Sequence, residues 1–204
     1  MGRYTEAVCK LYRRCNEKLM LKGSRCLTPK CAIDSRKPVR GRRRRVSDRG
    51  LQLIEKQKAR YTYGVLERQF KRTFTQAERQ QGITGENLQV LLERRLDNVV
   101  YRLGFADSRS QARQLVQHGH IMLNGRKTNI PSCLVKEGDT IGCKENSMKK
   151  EYFKQLAEEI ESKSLAGWLS LDRKNLVGQV LSLPTPDEIG ATWDGKAIVE
   201  YYSR

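Results

Sequence analysis

The 204-residue sequence lacks long apolar segments, and its acidic residues are few beside its basic ones. No run approaches the roughly 18 consecutive apolar residues that indicate a membrane-spanning helix. The residues from Met1 to Tyr4 do not begin the apolar core of a signal peptide. These absences exclude an integral membrane protein, and we expect a cytoplasmic protein.

Motifs typical of an enzyme are also missing. The sequence has no glycine-rich cofactor loop and no set of nucleophile, base and orienting residue that resembles a catalytic triad. We therefore predict a binding protein without catalytic activity and without a small-molecule substrate.

Basic charge is what the sequence has in excess, with 40 Lys and Arg against 23 Asp and Glu and a formal net charge of +17. The excess is uneven, because residues 1–50 carry 16 basic and 4 acidic side chains whereas residues 151–204 carry 6 and 9. Nucleic acid is the partner that such a charge favours, and an anionic membrane surface is the weaker alternative. We expect the last quarter to face solvent or another protein.

Four of the six cysteines lie in a basic N-terminal extension predicted over residues 1–46. They are Cys9, Cys15, Cys26 and Cys31. Cysteine clusters in cytosolic proteins more often bind a metal than form disulfides. The irregular spacing C-x5-C-x10-C-x4-C favours one zinc ion but leaves unliganded thiols or an iron–sulfur cluster as alternatives.

The same extension ends in the run Arg42, Arg43, Arg44 and Arg45. A nuclear-type address and a solvated arm are two functions of such runs. Four adjacent guanidinium groups beside helical structure gain most from contact with phosphate. We predict that this run binds RNA.

Residues 47–92 are predicted to form a helical domain, which the C-terminal tail joins. Ser47 is a suitable N-cap for a helix over the following residues. Apolar residues then recur at helical spacing, at Leu66, Phe70, Phe74 and Ala77. The basic side chains of this domain that we predict to bind RNA are Arg49, Lys56, Lys58, Arg60, Arg68, Lys71 and Arg72.

Residues 93–155 are predicted to form a separate RNA-binding module. An apolar stripe from residues 86 to 103 predicts one continuous helix, and a second helix begins at a cap on Asp107 or Ser108. Asn124-Gly125 supplies the positive φ angles that a type I′ hairpin turn requires.

Basic and polar side chains lie off the apolar stripes of this module. We predict RNA contacts from Arg94, Arg95, Arg102, Arg109, Arg113, Gln114, His118, His120, Asn124 and Lys127. A solvent-facing, salt-bridged surface is the alternative, but the acidic residues nearby are too few to neutralise Arg94, Arg95, Arg109 and Arg113. We therefore expect Arg109 and Arg113 to lie on an open face of their helix.

The remaining sequence has weaker signals. Residues 133–143 predict two short strands, in which Cys133 and Cys143 are small buried hydrophobic residues. Residues 151–162 have a helical period, and the tail is irregular until a strand-like end at residues 198–202. We expect the helix and tail over residues 156–204 to pack on the other domains.

The block from Arg94 to Phe105, RRLDNVVYRLGF, together with residues 108–121 and the Asn124-Gly125 turn, closely resembles the RNA-binding module of the ribosomal protein S-four family. The segments at residues 51–58 and 63–70 and the ending at Tyr201 to Arg204 are similar to the same family. The resemblance therefore covers nearly the whole chain.

That resemblance implies an α+β fold. It consists of a mostly helical domain with an inserted RNA-binding module of two helices plus a small antiparallel sheet, preceded by a Cys-rich basic N-terminal extension. Metal-binding members of the family begin with a C-x2-C pair, whereas Tyr12 stands here at the second position of that pair. This departure weakens the zinc prediction.

The resemblance also implies a function in the ribosome. A member of the family is a primary binding protein of small-subunit (16S-type) rRNA, nucleates assembly of the 5′ domain, and lies beside ribosomal proteins three and five. There it lines the mRNA entry channel and contributes to translational accuracy. The same module occurs in RNA-modifying enzymes and a heat-shock RNA chaperone, but about 60 residues after position 145 leave no room for a catalytic domain.

Overall fold

The structure is a computed structural model that describes residues 4–31, 34 and 46–203. The chain divides into two compact units. The first contains the described residues up to Gln89 and those from Ala191 onward, and the second spans Val90–Gly190. None of the helices in these described ranges has the length and apolar character needed to cross a bilayer.

The first unit is helical. It contains α1 (Cys9–Cys15), a 3₁₀ turn at Gly23–Leu27, α2 (Asp48–Thr62), α3 (Glu67–Glu78), the start of α4 (Thr84–Glu93) and, after the second unit, α10 (Gly195–Tyr202). The predicted N-cap is confirmed, because Ser47 Oγ accepts a hydrogen bond from the backbone N–H of Gly50 at 3.3 Å. Phe70, Phe74 and Ala77 form the buried stripe of α3, as their spacing predicts.

The C-terminal segment differs from its prediction. Residues 198–202 read as a strand because Ile, Val and Tyr favour extended structure, yet they belong to α10, which packs against α2. Asp194 caps this helix by accepting from the N–H of Lys196 at 2.8 Å. Burial of Ile198 and the 4.5 Å ring contact between Phe74 and Tyr202 stabilise it, so packing overrides the local preference.

The second unit combines helices with one five-stranded antiparallel sheet of order β2-β1-β3-β5-β4. Its helices are α5 (Leu96–Arg102), α6 (Arg109–Gln117), α7 (Glu145–Met148), α8 (Glu151–Glu159) and α9 (Pro186–Ile189). Its strands are β1 (Ile121–Leu123), β2 (Arg126–Lys127), β3 (Thr140–Cys143), β4 (Leu169–Asp172) and β5 (Val177–Val180). One apolar core joins α5, α6 and α8 to the sheet.

The hairpin prediction is confirmed. Asn124 and Gly125 have φ angles of 50° and 73°, and the strands pair Met122 with Lys127 and Leu123 with Arg126. The α+β fold class is thereby also confirmed, with a small antiparallel sheet beside helices. The N-cap of α6 is Ser108, whose side chain accepts from the N–H of Gln111.

Two parts of the second unit differ from their predictions. The helix expected over residues 86–103 is broken, because α4 ends at Glu93 and Arg95 is extended before α5 begins. The Asn98 side chain donates to the freed Glu93 carbonyl at 3.0 Å and so stabilises the break. Residues 133–143 contain one strand rather than two, while the tail thought irregular contributes β4 and β5.

Candidate nucleic-acid interface

A buried carboxylate, Glu93, organises the helices of the RNA-binding module. Its two oxygens accept hydrogen bonds from Nε and Nη2 of Arg102, each at 2.9 Å, in a bidentate pair. Asn98 Nδ2 donates to the same carboxylate at 2.6 Å. Arg109 completes the cluster, because its Nε donates to Asn98 Oδ1 at 2.7 Å and its guanidinium lies 4.6 Å from the centre of the Tyr101 ring.

A second buried carboxylate, Asp97, holds two further arginines. Arg95 donates to both of its oxygens, at 3.1 and 2.7 Å, and Arg113 Nη1 donates to Oδ2 at 3.0 Å. Arg95 is 3% exposed and Arg113 9%. These side chains are therefore internal ion-pair partners.

The prediction that Arg109 and Arg113 lie on an open face of α6 is wrong. Arg109 and Arg113 were predicted on a solvent-facing surface with too few acids nearby, yet both pair with carboxylates of the same unit. Each of two buried acids contacts two arginines, so all four guanidinium groups have a carboxylate partner although the cations outnumber the anions. Arg94 is half-buried, and its Nε donates to the Val135 carbonyl at 3.0 Å.

Exposed cationic and polar groups lie instead at the end of α6 and on the hairpin. Gln114 and His118 are exposed on α6 and at its C-cap, and Lys127 is exposed on β2. Gly119 has a φ of 70°, a backbone conformation that favours glycine, and a Cβ there would meet the stem of Lys127. Glycine therefore suits this corner between α6 and β1, where the Lys127 side chain lies close to the backbone.

The hairpin turn is held by its own polar contacts. Asn124 Nδ2 donates to Asp139 at 2.8 Å, and Asn124 Oδ1 accepts from the N–H of Thr140 at 2.8 Å. The side chain of Asn124 thus fixes the turn. Arg126, which sequence reasoning omitted, is exposed on the same hairpin and presents a guanidinium group to solvent.

Comparison with known proteins agrees with this arrangement. The family model described as "Ribosomal protein S4/S9 N-terminal domain" matches residues 3–93, and the one described as "S4 domain" matches residues 94–141. The small ribosomal subunit protein uS4 of Dehalococcoides mccartyi (strain CBDB1) is 56% identical, and those of Pelotomaculum thermopropionicum and Syntrophomonas wolfei are 53% and 50% identical. Each alignment covers 100% of both chains.

The chain belongs to the uS4 family of small-ribosomal-subunit proteins. Its members are non-enzymatic structural components of the ribosome, so the prediction of a protein without catalytic activity is confirmed. Family membership also implies a ribosomal location and binding to small-subunit rRNA.

In this uS4 chain the basic residues of the first unit fall into two groups. Arg49, Arg68, Lys71 and Arg72 are exposed, and among the residues the structure describes none of them has an acidic partner. Lys56, Lys58 and Arg60, which were also predicted to bind RNA, are instead paired with carboxylates. Lys56 is 4% exposed, and its Nζ lies 2.6 Å from Glu67 Oε1 and 4.7 Å from the centre of the Tyr201 ring.

The carboxylate of Glu67 is the centre of that second group. Burial acts to raise its pKa, but the hydrogen bond and the charge of Lys56, with smaller contributions from Tyr202 and Arg60, bring the pKa below its ordinary value. Arg60 Nη1 lies 3.4 Å from Glu67 Oε2. Lys58 pairs in the same manner with Glu17 and Glu55, at 2.6 and 2.7 Å.

The cysteine cluster of this uS4 chain is not arranged as a zinc site. Cys26 Sγ shares a hydrogen bond with the Tyr12 hydroxyl at 2.8 Å and accepts from the N–H of Lys22 at 3.3 Å. Burial raises the pKa of Cys15 to about 11, so its thiol stays protonated. In residues 4–31, 34 and 46–203, no three His, Cys, Asp or Glu side chains are placed to hold a metal ion.

The zinc prediction is therefore not supported. Tyr12, which stands where the family's second cysteine would lie, occupies the space beside Cys26 and is itself buried. Cys9, Cys133 and Cys143 form no disulfide with another described residue, and Cys31 is buried. The predicted RNA-binding run from Arg42 to Arg45 lies outside the described residues.

Proposed function

We propose that this uS4 chain is a primary rRNA-binding protein that nucleates assembly of the 5′ domain of small-subunit rRNA. The observation that carries the proposal is a separation of the cations into two classes. One set of buried and half-buried arginines and lysines is paired with Glu93, Asp97 and Glu67, whereas a second set is exposed without acidic partners in the described chain. The second set is open to solvent and therefore accessible to a polyanion.

We assign the RNA contacts to that exposed set. In the first unit it comprises Arg49, Arg68, Lys71 and Arg72, and in the second it comprises Gln114, His118, Arg126 and Lys127. The predicted run Arg42 to Arg45 joins them as a proposal from sequence. His120 and Asn124 contribute less directly, because Ser147 and Asp139 hold their side chains.

The buried arginines have a different function in this proposal. Arg109 and Arg113 bond α6 to side chains of α5, so the exposed groups at the end of α6 keep their positions. Arg102 holds α5 to the end of α4, and Arg95 bonds to Asp97 at the start of α5. In the first unit, Lys56 and Arg60 of α2 pair with Glu67 at the start of α3. Lys58 pairs with Glu55 of α2 and with Glu17. A fixed scaffold reduces the entropy lost on binding a folded RNA.

The test is a comparison of two RNAs. Binding of the full chain to a transcript of the small-subunit 5′ domain is measured against an unrelated folded RNA of equal length, over a series of salt concentrations. We expect a clear preference for the 5′-domain transcript and an affinity that falls steeply with salt, by about 0.7 to 0.9 in logarithmic slope per neutralised phosphate. Equal affinity for both RNAs would overturn the proposal.

We further propose that the assembled protein lies beside ribosomal proteins three and five and lines the mRNA entry channel, where it contributes to translational accuracy. The family resemblance and the exposed basic side chains support this. Crosslinking of mRNA to exposed lysines in assembled subunits, combined with a misreading reporter, provides the test. Absence of mRNA crosslinks at an otherwise complete subunit would contradict the channel assignment.

A further inference from the structure

A cavity of about 260 Å³ opens on the second unit where the later residues of α6 approach the start of α8. Gln111 and Gln114 of α6 line one side, and Lys150, Tyr152 and Phe153 line the other. Pockets for drug-sized ligands begin at roughly 300 Å³. This cavity therefore suits one base-sized group and is too small for a large cofactor.

An unbroken row of aromatic rings runs along the cavity. Tyr152 contacts Phe153 edge to face with centroids 5.2 Å apart, Phe153 contacts His120 at 5.8 Å, and His120 contacts His118 at 6.1 Å. Phe153 is buried and belongs to the core, so the row is anchored from below. Rings fixed in this way are a platform on which a base can stack without a large loss of side-chain entropy.

The charge at the cavity is positive. The pKa of His120 is lowered first by its burial and then by the positive charges of Lys150, His118 and Lys144, and no carboxylate contributes. Lys150 is exposed, and in the part of the chain that the structure describes it has no ion-pair partner. An anionic group at the rim would be attracted by the ammonium group of Lys150.

Hydrogen-bonding groups are present beside the rings. Tyr152 donates to the Phe105 carbonyl at 2.7 Å and accepts from Gln111 Nε2 at 3.2 Å, which fixes the phenol ring. The Gln114 amide is exposed, and no partner for it exists among the described residues. His120 uses Nδ1 toward Ser147 Oγ at 2.9 Å, so Nε2 remains for a ligand. An amide and a ring nitrogen are groups that pair with the edge of a base.

We propose that this cavity binds a single unstacked nucleotide of the bound rRNA, with the base against the aromatic row and the phosphate at Lys150 and His118. This inference rests on the proposed function and adds a defined subsite to it. Single-stranded RNA is recognised in general by bases that leave the stack and meet aromatic side chains. The rings, the amide groups and the exposed ammonium group of Lys150 together offer contacts for the base and the phosphate of a nucleotide.

Gln114→Trp tests the proposal, because an indole at this exposed position of α6 fills the cavity. Gln155→Trp is the matched control, since Gln155 is exposed on α8 and does not line the cavity. Affinity of each full-length variant for the 5′-domain transcript is compared with the parental chain, and unfolding midpoints confirm that both fold. We expect a loss of about five- to one-hundred-fold for Gln114→Trp, the order expected for one stacked base, and less than about two-fold for Gln155→Trp.

Crosslinking identifies the residues at the subsite. Ultraviolet irradiation of the parental complex, followed by mass spectrometry, is expected to attach a nucleotide to His118, Tyr152 or Phe153. Lys150→Ala with His118→Ala provides a smaller change, and it is expected to weaken transcript binding and to lower the salt slope. Parental affinity in the Gln114→Trp variant, with no crosslink at these residues, would overturn the subsite.

A free mononucleotide has the same base and phosphate groups as a nucleotide of the bound rRNA, so it is the alternative ligand for this cavity. Nucleoside 5′-monophosphates are titrated into the free protein while the ring signals of His118 and His120 are followed by NMR. Tight binding of a free mononucleotide, with unchanged transcript affinity in Gln114→Trp, would overturn the rRNA source. A parental chain that does not prefer the small-subunit transcript overturns the proposed function itself, whereas parental affinity for that transcript in Gln114→Trp, with the preference intact, overturns only the subsite.

Discussion

Arg102 donates two hydrogen bonds of 2.9 Å to the Glu93 carboxylate, although the two residues lie on either side of a break between helices. The carboxylate is fully buried, accepts a hydrogen bond from Asn98 and forms an ion pair with Arg109. Because these three side chains depend on one acid, the geometry of α5 and α6 depends on Glu93 more than on either of its arginines.

Glu93→Gln is expected to destabilise the second unit. The amide cannot neutralise the arginines, and breaking a buried ion pair from one side costs about 3 kcal/mol. Urea unfolding measures the change. Glu86→Gln is the matched control, because Glu86 is exposed on the same helix. Equal midpoints for the two variants would contradict the central place given to Glu93.

Arg113→Ala is expected to lower stability more than it lowers RNA affinity. The substitution removes one of two guanidinium groups from buried Asp97 and leaves part of its charge uncompensated, at a cost of about 2 kcal/mol. Urea unfolding and transcript binding are measured on the same preparation. A variant that keeps its stability and loses RNA binding would return Arg113 to the RNA-contacting set.

Lys71→Ala with Arg72→Ala is expected to show the reverse pattern. Both side chains are exposed on α3, so stability should change by less than about 0.5 kcal/mol. Affinity for the 5′-domain transcript should fall, and the logarithmic salt slope should decrease by about 0.7 to 0.9 for each lost phosphate contact. Lys154→Ala with Lys174→Ala removes two exposed lysines outside the assigned set. An equal loss in this control would show that total charge matters and position does not.

The lowered pKa of His120 predicts how the stability of the fold depends on pH. Its pKa in the folded chain is lowered, chiefly by burial and further by Lys150, His118 and Lys144, so the fold favours the neutral ring. In the unfolded chain His120 binds a proton more readily, because its pKa there is about 6.5. The stability that the neutral His120 ring contributes is therefore fully present above this pKa and is lost as the pH falls below it. His120→Gln should therefore lose less stability than the parental chain between about pH 7 and pH 5. Identical slopes would contradict this direction.

Metal analysis decides the cysteine cluster. Cys26 is hydrogen-bonded to the Tyr12 hydroxyl, and burial raises the pKa of the Cys15 thiol. We therefore expect purified protein to contain less than about half an equivalent of zinc or iron. Tyr12→Cys creates a C-x2-C-x2-C series at residues 9, 12 and 15 and serves as the comparison. A full equivalent of zinc in the parental chain would show that the thiols rearrange to bind it.

Sequence predicted best those features that depend on neighbouring residues. The Asn124-Gly125 turn and the Ser47 and Ser108 caps each follow from a few adjacent side chains, and each is present. The family resemblance predicted the fold class as a whole. The buried arginines could not be recognised this way, because Asp97 meets Arg113 sixteen positions later and only through the packing of α5 on α6.

Tertiary packing also decided the C-terminal segment. Ile198, Val199, Tyr201 and Tyr202 have strand-like preferences, and only the partner helix α2 makes them helical. A signal was present, since Asp194 is a good N-cap and Ile198 and Tyr202 are four residues apart. The sequence signal for the proposed nucleotide cavity was the adjacent pair Lys149 and Lys150. No neighbouring residue in the sequence indicated that Lys150 would lie beside α6.

The packing of α10 on α2 joins distant parts of the sequence. The second unit is contiguous along the chain, whereas the first contains helices from both sides of it. During synthesis α2 is therefore made long before Gly195–Tyr202, and α10 cannot cover its surface on α2 until those residues have been added.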